Sequence, residues 1–394
     1  MYSKDSRLPL GGILMLAGLV ALAPLGTDIY PSAVPSMAAS YAASTEKIEL
    51  SISFFLVGIA FGHLLGGPLS DRYGRRKLVT LGILLFGSAS LAIVFLEQLS
   101  MLYGLRVIQA LGAGLASVSA MAVVRDISAG REGASNMMRV VQVMMAAPLL
   151  APMLGMVIYR YLGWHAIFLF LVGYCIVLLM LFLKNAPETS PMEGRSNFLA
   201  SYWQLARDRR VWPGMISIIG TYGVMFSFIT ASPTVYMGYF GVSPELFPLA
   251  FGSNVIGMLI MGQLNIRLLK RYSAAALIVR GQLVQLVAGS LLVGYLLLSD
   301  QPQFVVVLLM TVSFISCHSL VVSNSISSTT EYFPDRAGTT TALLSASGFM
   351  AGASIGSLTG LFADGTPLPM AVIMLLACLG GVVMRGALAK AESS

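Results

Sequence analysis

Residues 66–79 read GGPLSDRYGRRKLV, a small basic island between two apolar runs at about 48–70 and 77–96. Each run is long enough to cross the hydrocarbon core of a bilayer as a helix, which takes about 20 residues. Gly66 and Gly67 allow close helix packing, and Tyr73-Gly74 makes a tight turn at the membrane face. Asp71 sits among Arg72, Arg75, Arg76 and Lys77, cations that anchor such a turn to anionic headgroups. The stretch reads as the short connection between two membrane-spanning helices.

Counting outward from it gives twelve apolar runs, at about 9–38, 48–70, 77–96, 101–125, 134–158, 163–183, 213–239, 246–269, 274–298, 302–327, 337–362 and 368–388. Composition agrees. Of 394 residues 57% are hydrophobic and 10% charged, against about 25% charged in a soluble globular protein, and the mean hydropathy is +0.82. Runs this long are helices and not barrel strands, because backbone in lipid must satisfy its own hydrogen bonds. With both termini in the cytoplasm, the 24 Lys and Arg fall on the cytoplasmic side except Lys47 and Arg160 opposite and Arg106 and Arg280 within spans. The net charge of +7 is then an orientation signal, and no nucleic-acid partner is expected. Cys175, Cys317 and Cys378 lie in apolar runs without metal or disulfide spacing and read as small buried hydrophobes. The first run is too long for a cleavable signal peptide.

The longest connection, 184–212, divides the chain into six-helix halves at 1–183 and 213–394. Its later part, NFLASYWQLARDRRVW, puts Phe198, Tyr202 and Leu205 near one helical face, as in a short helix along the cytoplasmic interface. A shift of 205 residues sets Arg131, Gly133, Met145, Ala146 and Gly155 on Arg336, Gly338, Met350, Ala351 and Gly360, a faint repeat at the fifth span of each half. Two parallel six-helix halves with a site between them is a secondary-transporter architecture.

Polar residues inside spans mark the chemistry. An aspartate at mid-helix costs about 2.5–3.5 kcal/mol on insertion scales, yet Asp28 stands in the first span within TDIYPSAVP. Proline is tolerated in such a helix where neighbours or water re-satisfy the freed carbonyls, so Pro31 and Pro35 predict a bend beside Asp28. Arg106 and Gln109 share a face of the fourth span, where Gly112 and Gly114 leave room for a neighbouring helix. An intramembrane arginine is functional by default; the alternative is that Arg106 snorkels to the outer interface. Burial disfavours an ionised carboxyl and a nearby guanidinium favours it, so an Asp28 that alternates between these surroundings would bind and release a proton. The alternative is a permanent Asp28–Arg106 bridge joining helices one and four.

The 66–79 stretch resembles the G-x-L-x-D-R-x-G-R-[RK] motif of the major facilitator superfamily, with Pro68 before the leucine. By this resemblance the fold is all-α, a twelve-transmembrane-helix major facilitator fold of two pseudo-symmetric six-helix bundles. Asp71 would latch the cytoplasmic gate together with Arg72, Gly74, Arg75 and Arg76, its partner being Arg125 or the start of span eleven; otherwise the loop is a topology signal alone. The second-half counterpart, GQLNIRLLKRYS (262–273), lacks the aspartate. LYGLRVIQALGAG resembles the superfamily's fourth-helix motif, whose arginine is tied to proton coupling. AAPLLAPMLG (146–155) resembles its fifth-helix antiporter motif, with Pro148, Pro152 and Gly155 in the form AP-x-x-AP-x-x-G of Bcr/CflA drug exporters. TDIYPSAVP, GWHAIF (163–168), FITASPTVY (228–236) and EYFPDRAGTTTALLSASGF (331–349) are similar to further segments of that narrower family.

The resemblance implies a proton-coupled exporter of small amphipathic drugs, such as chloramphenicol or bicyclomycin, in the bacterial inner membrane. It implies a multi-pass monomer surrounded by lipid bilayer, with protons and a small-molecule substrate as partners. No cofactor and no metal are expected, and no enzyme constellation appears, since His63, His165 and His318 are dispersed. Cavity candidates are Tyr30, Gln109, Gln142, Tyr222, Phe226, Phe228, Ser232, Asn254, Met258, His318 and Asn324, apolar walls with few polar groups. His318 is either a second titrating site or a hydrogen-bonded core histidine. A metabolite exporter, for example of nucleosides, a proton-coupled importer and a non-transporting sensor are the rival readings.

Overall fold

The computed structural model describes residues 8–393 apart from 97, 128–129, 187 and 190–197, so the middle of the predicted linker lies outside the described residues. Among these residues all regular structure is helical. Eleven helices are long and apolar enough to cross a membrane, and the bent pair Leu10–Val20 with Leu22–Ser40 supplies a twelfth span. The chain divides into two compact units, Met1–Ala43 with Phe54–Phe198, and Ser44–Ser53 with Leu199–Ser394.

The first span is built in pieces: α1 (Leu10–Val20), α2 (Leu22–Asp28), a 3-10 turn at Pro31–Ala33, and α3 (Val34–Ser40). Its 50° bend falls at Ala21, earlier than Pro31 and Pro35 led us to expect. The cause is Pro24, which has no N–H for the Val20 carbonyl and whose ring crowds it. Pro31 and Pro35 instead start the 3-10 turn and α3, where first-turn donors are unpaired anyway.

The remaining helices of the first unit are α4 (Thr45–Tyr73), α5 (Arg75–Phe95), α6 (Leu99–Ile127), α7 (Gly130–Met144), α8 (Ala147–Leu162) and α9 (Trp164–Asn185), with the opening turns of α4 belonging to the second unit. Helix α5 packs along α6 and α9. Helices α4 and α6 touch through glycine: a Cβ on Gly114 would lie 2.8 Å from Gly62 Cα, so larger side chains would push the backbones apart. The fifth span is interrupted at Met145–Ala146, and Pro148 opens α8.

The second unit continues through α10 (Phe198–Arg207), α11 (Trp212–Pro233), a π-helical turn at Thr234–Tyr239, α12 (Phe247–Leu268), α13 (Ala274–Leu298), α14 (Phe304–Glu331), α15 (Ala337–Leu361) and α16 (Leu368–Ser393). Helix α11 lies against α15 and α16 and is buried along most of its length. The expected interfacial helix is α10, but Leu205 on it packs into protein with Val211, Met215, Ile218 and Leu344. Trp203 is its exposed aromatic residue, under the Arg207 guanidinium at 4.6 Å.

Candidate functional site

Arg106 is fully buried on α6 and does not reach for an interface. Its Nη1 donates to Gln109 Oε1 at 2.7 Å, and its Nη2 donates to the Gly26 carbonyl at 2.8 Å. Gln109 in turn donates through Nε2 to Ser90 Oγ at 2.7 Å on α5. The guanidinium lies between the rings of Tyr30 and Phe55, 4.6 and 4.4 Å from their centroids. Arginine suits this site because its flat fork donates in two directions while its faces stack on aromatic rings.

Asp28 ends α2, two residues past the carbonyl that Arg106 grips, and is buried. Thr27 Oγ1 donates to its Oδ1 at 2.8 Å. Among the described residues no ion pair joins Asp28 to Arg106: the arginine's terminal donors go to Gln109 and Gly26. The permanent-bridge alternative is therefore absent from this arrangement.

The antiporter-like segment meets the same stretch. Pro148 is half-buried, whereas Pro152 and Gly155 are buried on α8. A Cβ on Gly155 would run into the carbonyl oxygen of Ile29, so glycine there is required by contact. Helix α8 thereby seats against α2 and the 3-10 turn on either side of Asp28. Tyr30 is buried, with Phe168 6.2 Å away, while Gln142 is exposed on α7.

The 66–79 loop turns at Gly74, whose φ of 101° favours glycine. Arg75 is almost fully buried; it pairs with Asp71 at 2.5 Å and Asp126 at 3.0 Å, and also donates to Ser70 Oγ. Arg75 thus bridges the two carboxylates, and Arg125 is exposed beside Asp126. Arg72 lies over the Tyr73 ring at 5.2 Å, and Arg76 Nη2 donates to the Leu183 carbonyl at 2.5 Å. Sequence reasoning missed the contribution of the linker. Glu188 accepts from the Arg75 and Arg76 N–H groups at 2.8 and 3.2 Å, and Thr189 Oγ1 donates to Asp126 at 3.1 Å. A carboxylate at the start of α5 satisfies unpaired donors and complements the helix dipole.

In the second unit Tyr222 is half-buried, its ring 4.9 Å from His318, 5.9 Å from Phe226 and 5.2 Å from Phe349. His318 is buried, with Nδ1 3.2 Å from the Thr221 carbonyl, and Gln285 Nε2 donates to Thr221 Oγ1 at 3.0 Å. The other cavity candidates make contacts within the same unit. Phe228 stacks on Phe251 at 5.7 Å, Ser232 donates to the Ile229 carbonyl, and Asn324 donates to Asn265 Oδ1 at 2.8 Å. Asn254 donates to the Ala250 and Phe251 carbonyls, and the half-buried Met258 offers its carbonyl to Ser319 Oγ. Among the described residues no group of three His, Cys, Asp or Glu could hold a metal ion.

Glu49, in the opening turns of α4, also escaped the sequence reading. It is 1% exposed, and its Oε1 accepts from Thr234 N–H at 2.9 Å and Thr234 Oγ1 at 2.8 Å. An acid between Ile48 and Leu50 was the available signal.

Comparison with known proteins agrees with this architecture. Residues 16–357 match the Major Facilitator Superfamily, and the chain belongs to that family. It is 29% identical over 371 residues to a bicyclomycin resistance protein homolog of Haemophilus influenzae, with 92% of each chain covered. It is 32% identical over 288 residues to a chloramphenicol resistance protein of Pseudomonas aeruginosa, covering 73% of this chain and 67% of that one. The kinship with Bcr/CflA-type resistance proteins expected from the motifs is borne out. Among solved structures, the E. coli xylose transporter XylE aligns with a TM-score of 0.73 at 16% identity, over 95% of this chain and 96% of its own. The peptide transporter POT in complex with sulfate aligns at 0.79 and 13% identity, over 99% and 96%. The chain is a multi-pass membrane transporter and not an enzyme.

Proposed function

We propose that this transporter exports small amphipathic drug-like molecules across the bacterial inner membrane in exchange for protons, with Asp28 as the proton carrier. The observation that carries the reading is a buried Asp28 carboxyl bonded to Thr27, with Arg106 directed to the adjacent backbone and Gln109. A carboxylate at this depth is costly unless it is paired, wetted or protonated. Arg106 is close enough in space to become its partner when the first span shifts, because it already holds Gly26, two residues before Asp28. A proton bound in one arrangement is then released in the other.

Gly155, pressed on the Ile29 carbonyl, lets movement of α8 reach this stretch directly. The loop around Asp71, Arg75 and Asp126 serves as the gate latch at the other end of the unit. The drug class is inferred from the relatives, whose names point to bicyclomycin and chloramphenicol resistance. The test uses purified protein in proteoliposomes with chloramphenicol as the probe. Wild type moves it when a pH gradient is imposed, and Asp28→Asn loses that drive. Full gradient-driven transport by Asp28→Asn refutes the assignment, and excretion of a metabolite in place of the drug would turn the reading toward a metabolite exporter.

A further inference from the structure

Glu49 is a second carboxyl within a spanning helix, and transport through Asp28 leaves it unused. It is as buried as the apolar core around it. Among the described residues no Lys, Arg or His pairs with it; both of its hydrogen bonds come from Thr234. That residue stands where α11 ends at Pro233 and the chain passes into the π-helical turn Thr234–Tyr239. At this change of helical register the Thr234 N–H is shared between the Ala231 carbonyl and the Glu49 side chain, and π-type irregularities of this kind gather at functional sites.

We propose that Glu49 is a further proton-binding residue of the transport cycle, whose protonation loosens the hold of the opening turns of α4 on the π turn. Ionised, its Oε1 accepts two charge-assisted hydrogen bonds, which are roughly twice as strong as neutral ones. A proton taken up on the carboxyl removes the charge that strengthens them. The proton is bound as Glu–COOH and given back as Glu–COO⁻, with no other reactant needed.

The surroundings contain little else that titrates. Glu46 and Lys47 lie on the same helix. On the π turn, the Tyr236 ring packs 5.1 Å from Phe304 and the Tyr239 ring 4.9 Å from Phe240. The stretch of α15 that faces these turns, Gly356 to Gly360, carries serine, leucine and threonine and no ionisable side chain; Gly356 meets Ser53 and Gly360 meets Leu50.

This inference deepens the proton-coupled reading and rests on it, so its test includes a signal that needs no substrate. Infrared difference spectra of the purified full-length protein in lipid, recorded across a pH titration, report protonated carboxyls directly. Glu49→Gln keeps an oxygen to accept both Thr234 bonds but cannot titrate. It is expected to lose one carboxyl band, Asp28→Asn a different one, and Glu49→Asp to retain a displaced band. In proteoliposomes, the pH profile of gradient-driven chloramphenicol transport should change in Glu49→Gln. An unchanged set of bands in Glu49→Gln overturns the proposal and leaves Glu49 a structural acceptor. If Glu49→Gln does not fold, a spectrum of Glu49→Asp identical to wild type overturns it equally. Loss of the band in Glu49→Gln where the wild type itself moves no chloramphenicol keeps Glu49 as a proton site and removes the drug-exporter reading instead.

Discussion

Replacing Arg106 by lysine keeps a positive charge in the first unit but removes the fork that reaches Gln109 at 2.7 Å and Gly26 at 2.8 Å. A hydrogen bond from a charged donor contributes about 1.5–3 kcal/mol, and an ammonium on a flexible stem can direct itself to one of these acceptors at a time. One bond, worth about 2 kcal/mol, is therefore lost. The stacking of a planar cation between Tyr30 and Phe55, at 4.6 and 4.4 Å, weakens as well and adds about 1 kcal/mol. The expected loss is about 3 kcal/mol, concentrated in the first unit. The buried cysteines provide the assay. In a protein that keeps Cys175 and has Cys317 and Cys378 replaced by alanine, thermal unfolding in detergent is followed by a thiol-reactive fluorophore that reads Cys175 on α9. Arg106→Lys should expose Cys175 at a clearly lower temperature, and Gln109→Leu should do so by a smaller margin. An Arg106→Lys protein that melts with its parent would mean that the two-way donor does not join α6 to the first span, and the coupling argument would lose its mechanical basis.

Gly155→Val drives a side chain into the Ile29 carbonyl; an overpacked core costs about 1–3 kcal/mol, so we expect lower yield and severely reduced chloramphenicol transport, measured in the same vesicles. Arg75→Gln leaves Asp71 and Asp126 without their shared cation. Because Asp71 is about half exposed, the loss is held to about 2 kcal/mol, read as faster proteolysis at the 66–79 loop.

The spans were legible because lipid leaves the backbone few options, and the observed helix ends lie within a few residues of the apolar runs. The bend of the first span was legible in principle but credited to the wrong prolines: Pro24 acts on the Val20 carbonyl behind it, whereas Pro31 and Pro35 open new turns. Arg106 stood out as an intramembrane charge, yet one of its partners is the main-chain oxygen of Gly26, and backbone acceptors have no letter in the sequence. The pair of Asp71 with Arg75 was not read from the sequence, because the turn at Gly74 is what brings the two together. Glu49 stood at the very start of a predicted span, where an acid resembles an interfacial residue. Its burial depends on the π turn after Pro233, a feature that a proline announces without specifying. The apolar face of α10 was visible, but whether lipid or protein would cover it was not, and Leu205 shows protein.

Glu188 and Thr189 make the start of the linker part of the first unit rather than slack between two halves. Anyone wishing to express the halves as separate polypeptides, or to splice in a reporter, therefore has an asymmetric choice of site. A cut at Lys184 would strip Glu188 from the 66–79 loop and Thr189 from Asp126 and pass both to the wrong fragment. A junction beyond Thr189 keeps both residues with the partners they bind, so the position of the scissors, more than the length of the insert, should decide whether a split transporter reassembles.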